Sequence, residues 1–348
     1  MRLSHIDRAR GFAMCCVVAG HIFSLVNLSK PEMNLGPLIR IFSVFELVIF
    51  FVISGYLFQK HPSADFGKFA KKKAKGLLIP YFVFSILNIL FFLFVEPTEG
   101  MTLSSMTITT LSFYGISVLW FFPTLFIGEI FWCFLYKKLN LKGIWIAAAL
   151  MVLVGVFYGY LQPFEGSLWT SSLLLSILGK LLIVFARGII CLFFVGIGHF
   201  FGYAEEKWNT HRFFKPILWI VLLLGFFLAK FVPAIDLREL GLNRIGLWSI
   251  CAIMISLGLL FFFEQTMRLP LKFFEIIGQN TMIIMCTHLD FKLPIYCMMC
   301  AEQLVAISPR AKNYVYWGTL FLTLVLLEII MVLGWKLIKK FYGKIFAN

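Results

Sequence analysis

Charge is what this sequence has least of. Lys, Arg, Asp and Glu make up 14% of its 348 residues, against roughly a quarter in an ordinary soluble domain. Acidic side chains are the scarcer kind, 17 against 31 basic ones. A chain this long and this poor in charge could not cover two soluble cores with polar surface. Several chemical signatures are also missing. No G-x-x-x-x-G-K-[ST] loop is present to cradle a nucleotide, and no His-x3-His or His–Glu pair stands at ligand spacing within an apolar run, so no metal site is expected. There is no Gly-x-Ser-x-Gly elbow, which excludes the usual serine-hydrolase arrangement. Short segments of alternating polarity, the mark of a transmembrane barrel, do not occur. No low-complexity linker or short-period repeat divides the chain, so a single domain over residues 1–348 is expected.

What fills the space is hydrophobic: 61% of residues, gathered into runs of about 18 to 25 that match the hydrocarbon thickness of a bilayer when helical. Helices suit that setting because they satisfy their own backbone hydrogen bonds where water is absent. The sequence therefore predicts an all-α, polytopic membrane protein with about ten spans. They lie near Gly11–Leu28, Leu38–Gln59, Leu77–Val95, Leu119–Tyr136, Gly143–Leu161, Lys180–Gly202, Phe213–Val232, Ile245–Phe263, Phe274–Cys297 and Tyr314–Ile338. The first span is too long for a signal peptide and no small-x-small cleavage site follows it, so it is expected to be retained.

An even number of spans puts both termini on one side. With the N-terminus cytoplasmic, that side collects Arg2, Arg8, Arg10, the run Lys68, Lys71, Lys72, Lys73 and Lys75, the trio Lys137, Lys138 and Lys142, Arg212, and the tail lysines. Lys30, Arg40, Lys230, Arg238, Arg244 and Arg310 fall on the other. The asymmetry fits the positive-inside rule. It also accounts for the net charge of +14 through an anionic leaflet rather than nucleic acid. The eight cysteines lie in or beside spans, where they read as small hydrophobes. Cys297 and Cys300 have CxxC spacing but not the surroundings of a redox or zinc motif.

Ionisable groups inside a span are functional candidates by default. They are His21, Glu46, Glu129, Arg187, His288, Asp290 and Glu328. Arg10 and His21 are eleven residues apart, close to three helical turns, so they share a face about 16 Å apart along the axis. Asp7, one turn before Arg10, can orient its guanidinium. Ser54 and Gly55 are small, which admits another helix or a ligand. The lysine run after them reads either as lipid contact or as a phosphate site, since Lys serves phosphate as a mobile point charge.

The order of these elements resembles the membrane-bound acyltransferase 3 family. The resemblance starts with Ile6–Asp7–Arg8–Ala9–Arg10–Gly11 and His21, an Arg-x10-His pattern, and continues in Phe50–Phe51–Val52–Ile53–Ser54–Gly55–Tyr56. Lys72 and Lys75 match the family's basic-x-x-basic element by charge, and Leu119–Trp120–Phe121–Phe122 its Trp-Phe segment. Ile277–Gly278–Gln279–Asn280–Thr281 and His288 resemble its late Gly-x-Asn-Ser and Leu-His stretch, with Thr281 in place of Ser. The resemblance implies an O-acyltransferase of a bacterial cytoplasmic membrane. It would take acyl, most often acetyl, from cytoplasmic acetyl-CoA to a hydroxyl of a cell-envelope glycan or lipid-linked sugar. It implies that His21 is the general base or a transient acyl carrier, with Arg10 on the donor. It further implies that Lys72 and Lys75 hold the CoA phosphates, and that Ser54 and Trp120 line the donor or sugar path. His288, Glu129 and Arg187 are further candidates for contact with substrate. The competing reading is a transporter or flippase of glycans or small amphiphiles. That reading predicts paired Gly/Pro-broken helices in corresponding halves, and no such pairing is found in the sequence.

Overall fold

The computed structural model describes residues 3–61, 65–97, 101–161, 172–208, 211, 213–233, 235–240, 245–307 and 312–345. Arg2, Arg212, Arg244 and Arg310 lie outside the described residues. Within them the chain is helical, with no strand. The helices are α1 (Ser4–Ser29), α2 (Gly36–Phe45), α3 (Val48–Lys60), α4 (Phe66–Leu90), α5 (Leu103–Leu111), α6 (Phe121–Leu139) and α7 (Gly143–Leu161). They continue as α8 (Leu173–Trp208), α9 (Phe214–Ala229), α10 (Ile245–Gln265), α11 (Lys272–Gln279), α12 (Thr281–Thr287), α13 (Leu293–Ile307) and α14 (Lys312–Ile345).

Seven described helices are long and apolar enough to cross a membrane, or eight if a bent pair counts as one span. The ten expected spans differ from this for three local reasons. The fourth and fifth count together as one stretch, Ser117–Tyr158, because only a short 3-10 turn at Asn140–Lys142 joins α6 to α7. Asn140 nevertheless leaves helical geometry at φ 53° and ψ −147°, and a Cβ on Gly143 would lie 2.9 Å from the Leu135 side chain, so the chain turns back there and the two helices stay separate. The seventh gives α9, a shorter apolar helix. The ninth is broken: after α12 the chain turns by 82°, with Phe291 and Lys292 in the left-handed region at φ 57° and 55°. Large apolar side chains crowd the outward faces of α9 and α14, among them Ile220, Leu223, Leu322 and Ile330, as a lipid-facing surface requires.

Two glycine-mediated crossings fix the helices that carry the candidate residues. A Cβ on Gly11 would lie 1.8 Å from the Phe274 carbonyl oxygen, and one on Gly278 would lie 1.7 Å from that of Asp7. Helices α1 and α11 can therefore meet backbone to backbone only with glycine at both places. Likewise a Cβ on Gly55 would lie 1.8 Å from the Val195 oxygen, and one on Gly198 1.9 Å from that of Val52, which locks α3 against α8. The small pair Ser54–Gly55 thus admits a helix at its glycine. Arg8 is buried and donates through Nη1 to the carbonyls of Thr266, Met267 and Leu269. These carbonyls belong to the turn just past the end of α10, so Arg8 ties the start of α1 to that turn. Asp65 caps α4, its Oδ1 accepting from the Gly67 and Lys68 amides at 2.8 and 3.2 Å, and this sets the lysine run on the first turns of a helix. All eight cysteines are free thiols.

Candidate active site

Helix α1 presents its two marked residues to two different cavities. Arg10 lines a cavity of about 330 Å³ with Ser54 from α3, Lys72 and Lys73 from α4, Glu129 from α6, and Thr281, Met282 and Met285 from α12. His21 lines a second, of about 420 Å³, with Ser24, Ser43, Glu46, Trp120, Asp236 and Arg238. Phe121 and Met285 line both. They form the wall where the basic cavity and the histidine cavity meet.

In the basic cavity the sequence's phosphate candidates separate. Lys72 lines the space; Lys75 is exposed and lies outside the lining. Lys73 is the better-tied neighbour, its Nζ 2.5 Å from Glu129 Oε1. Ser54 also donates its hydroxyl to that oxygen. Glu129 is only 3% exposed, and a carboxyl that dry needs such partners. Asp7 is buried where α1 crosses α11.

His21, which lines the histidine cavity, has behind it the ring of His288, 5.2 Å away between centroids and inclined by 37°. His288 Nδ1 is 2.8 Å from the Ile284 carbonyl oxygen. A carbonyl only accepts, so Nδ1 carries the proton and Nε2 keeps its lone pair. That Nε2 is buried with no hydrogen-bond partner. Two imidazoles in contact, one with a bare lone pair, can take up and hand on a proton.

Trp120 lines the histidine cavity, and Arg187 packs against its ring. Arg187 is buried in α8. It donates from Nε at 2.9 Å and from Nη2 to the Arg238 carbonyl, and from Nη1 at 2.9 Å to that of Tyr114. Its guanidinium also lies 4.5 Å from the Tyr114 ring and 5.0 Å from the Trp120 ring. One cation thus pins the segment carrying Asp236 and Arg238 to the loop before α6. Tyr114 adds a second tie, its hydroxyl donating to Glu239 at 2.6 Å. Burial and the Glu239 carboxylate push that phenol up to about 12.

The family model for an acyltransferase domain, acyltransferase 3, matches residues 3–338. The chain belongs to the acyltransferase 3 family. No curated protein and no solved structure matched it. Membership makes this acyltransferase-family chain a multi-pass membrane protein for which acyl transfer is the chemistry to test. Its Arg-x10-His residues are the ones that face the two cavities.

Sequence reasoning missed Lys73, Asp236 and the position of Glu46. Within consecutive lysines nothing but helix phase tells Lys72 from Lys73, and that phase depends on packing. Asp236 and Arg238 sit in a loop, where no periodicity points them anywhere. Glu46 stands in the sequence only as one more ionisable residue inside a span.

Proposed function

We propose that this protein is a membrane-bound O-acyltransferase of a bacterial cytoplasmic membrane. It takes acyl, acetyl in the first instance, from cytoplasmic acyl-CoA and delivers it to a hydroxyl of a cell-envelope glycan or lipid-linked sugar. The observation that carries the reading is the pair of cavities on one helix. One is lined by Arg10, Lys72 and Lys73, the other by His21, and they share the Phe121–Met285 wall. Cationic side chains suit the phosphates of CoA, and an imidazole suits a hydroxyl that must lose its proton. The basic cavity faces the cytoplasm in this reading, with both termini on that side and ten apolar segments threading the membrane.

In the direct route, His21 takes the acceptor's hydroxyl proton as the oxygen attacks the thioester carbonyl. The C–S bond breaks and the CoA thiolate leaves, taking the proton back from His21. His288 helps hold that proton in the interval through its bare Nε2. In the acyl-carrier route, His21 attacks the thioester, the C–S bond breaks and CoA leaves with the ring proton; the acceptor hydroxyl then attacks the acyl-imidazole, its proton passing to His21 as the acyl–nitrogen bond breaks. The test is acetyl-CoA turnover by the purified protein in nanodiscs, with and without extracted envelope glycans, in the parent and in His21→Ala. Glycan-stimulated CoA release that vanishes in the variant supports the reading. A folded parent that neither binds nor turns over acetyl-CoA with any acceptor overturns it and favours transport.

A further inference from the structure

Glu46 is a carboxyl group without a visible task. It sits at the break between α2 and α3, its amide still bonded to the Phe42 carbonyl at 3.0 Å. Its side chain fills a notch in α1. A Cβ on Gly20 would lie 2.9 Å from Glu46 Oε2 and 3.6 Å from Oε1. Gly20 is the residue before His21, and both Glu46 and His21 line the histidine cavity. Yet Oε2 is buried with no hydrogen-bond partner, and no ion pair involves Glu46 among the described residues. A buried carboxyl oxygen left unmatched in an apolar slab is destabilising, so a donor that arrives with a ligand would offset it.

Several other polar groups around the cavity are committed elsewhere. Asp236 Oδ1 accepts from the amides of Arg238 and Glu239 at 2.8 and 3.3 Å. The Arg238 guanidinium lies 3.4 Å from Glu239. The Ser24 hydroxyl donates to the Gly20 carbonyl at 2.8 Å and that of Ser43 to the Arg40 carbonyl at 2.9 Å. None of these donates to Glu46 Oε2. A polar ligand filling the space can supply the donor that Oε2 lacks.

We infer that Glu46 anchors the acyl acceptor: it accepts a hydrogen bond from one hydroxyl of a polyol while His21, one residue from the Gly20 notch, serves a neighbouring hydroxyl. This rests on the acyl-transfer reading and sharpens it, because a single-hydroxyl acceptor cannot engage both residues. The ring of Trp120 on the same wall offers an apolar face for the C–H side of such a polyol.

The test uses the full chain in nanodiscs, acetyl-CoA as donor, and two acceptors: octyl β-glucopyranoside, a polyol, and 1-octanol, with one hydroxyl on the same tail. The parent is expected to prefer the glucoside. In Glu46→Ala that preference, as the ratio of kcat/KM values, falls by about tenfold, the loss of one buried hydrogen bond. Glu46→Gln keeps an acceptor oxygen and restores part of it. Gly20→Ala keeps the carboxyl but pushes it from its notch, and loses preference as Glu46→Ala does. If Glu46→Ala does not fold, Glu46→Gln and Gly20→Ala decide. Acetyl-CoA binding is followed throughout, since a parent that binds none defeats the acyl-transfer reading itself. A parent that turns over acetyl-CoA but ignores the glucoside overturns the anchor, as do variants that keep the parent's preference.

Discussion

Replacing Lys73 with Met isolates the electrostatics of the basic cavity. The substitution keeps an unbranched apolar stem and removes the ammonium that sits 2.5 Å from Glu129. Stripping one partner from a fully buried pair costs about 3–5 kcal/mol. Lys73 is 28% exposed, however, while Glu129 is 3% exposed, so water screens one side and about 2 kcal/mol is the reasonable figure. Ser54 still donates to the stranded carboxyl, which keeps the loss from the upper end. The assay is a double-mutant cycle on unfolding in mixed micelles, with Lys73→Met, Glu129→Gln and the pair together. Lys73→Met should be the worst of the three. The double variant should recover most of its loss, because the second change removes the stranded charge. Glu129→Gln alone should be milder, since the released ammonium can reach water. A Lys73→Met protein within about 0.5 kcal/mol of the parent, or a double variant no better than it, would refute the argument.

Other consequences are more local. Lys72→Ala should weaken acetyl-CoA binding more than Lys75→Ala does, with a shallower salt dependence; isothermal titration at two ionic strengths checks this, and equal losses would count against the cavity as the donor site. Glu96, just beyond α4, accepts from Lys292 Nζ at 3.0 Å and Tyr296 Oη at 2.9 Å, and those bonds hold its carboxyl below the usual range. A depressed pKa means the tie is fully present above the ordinary carboxylate range and is lost as pH falls through the lowered value. Hydrogen exchange at the start of α13 should therefore stay slow from about pH 8 down through the ordinary carboxylate range at about 4 and quicken only below it, and protection already lost above that range would remove Glu96 from that role. Met285→Ala should raise acceptor-independent hydrolysis of acetyl-CoA by opening the wall between the cavities, measured as thiol release without glycan. Unchanged release would mean that the wall is not the barrier.

The helical, membrane-spanning character was legible because it is a property of composition and run length, which no packing detail can undo. The number of spans was less so. Hydropathy does not show how tight the Asn140–Lys142 connection between α6 and α7 is, nor that Phe291 and Lys292 turn the chain inside an apolar run. Arg10 and His21 could be placed on one face from spacing alone. Spacing could not show that the aromatic Phe121, from a helix about a hundred positions away, would stand between the two cavities that face lines. Gly55 and Gly278 could be marked as small, but only the backbone approaches of Val195 and Asp7 show why nothing larger fits. Trp120 and Arg187 were visible as unusual residues within spans. Their joint task of holding the Arg238 loop depends on a contact between segments remote in sequence.

The wall between the cavities has two unequal halves. The ring of Phe121 is stacked on Phe51 at 5.4 Å and meets Phe50 edge-on at 5.8 Å, with Trp120 and Phe122 beside it. Displacing it would break several aromatic contacts at once. Met285 is an unbranched side chain on α12, a helix of only seven residues. Behind it Asn280 leaves helical geometry at φ −117° and ψ 11°, and ahead of it the chain turns by 82°. The segment itself is held, with Ile283 to Thr287 buried and the Thr287 hydroxyl donating to Glu328 of α14 at 2.9 Å, but an unbranched methionine re-packs readily in place. On the proposed reading, the donor's thioester therefore passes on the Met285 side. His288 stands three residues beyond Met285, its ring beside that of His21, so on that reading the thioester arrives next to the paired imidazoles.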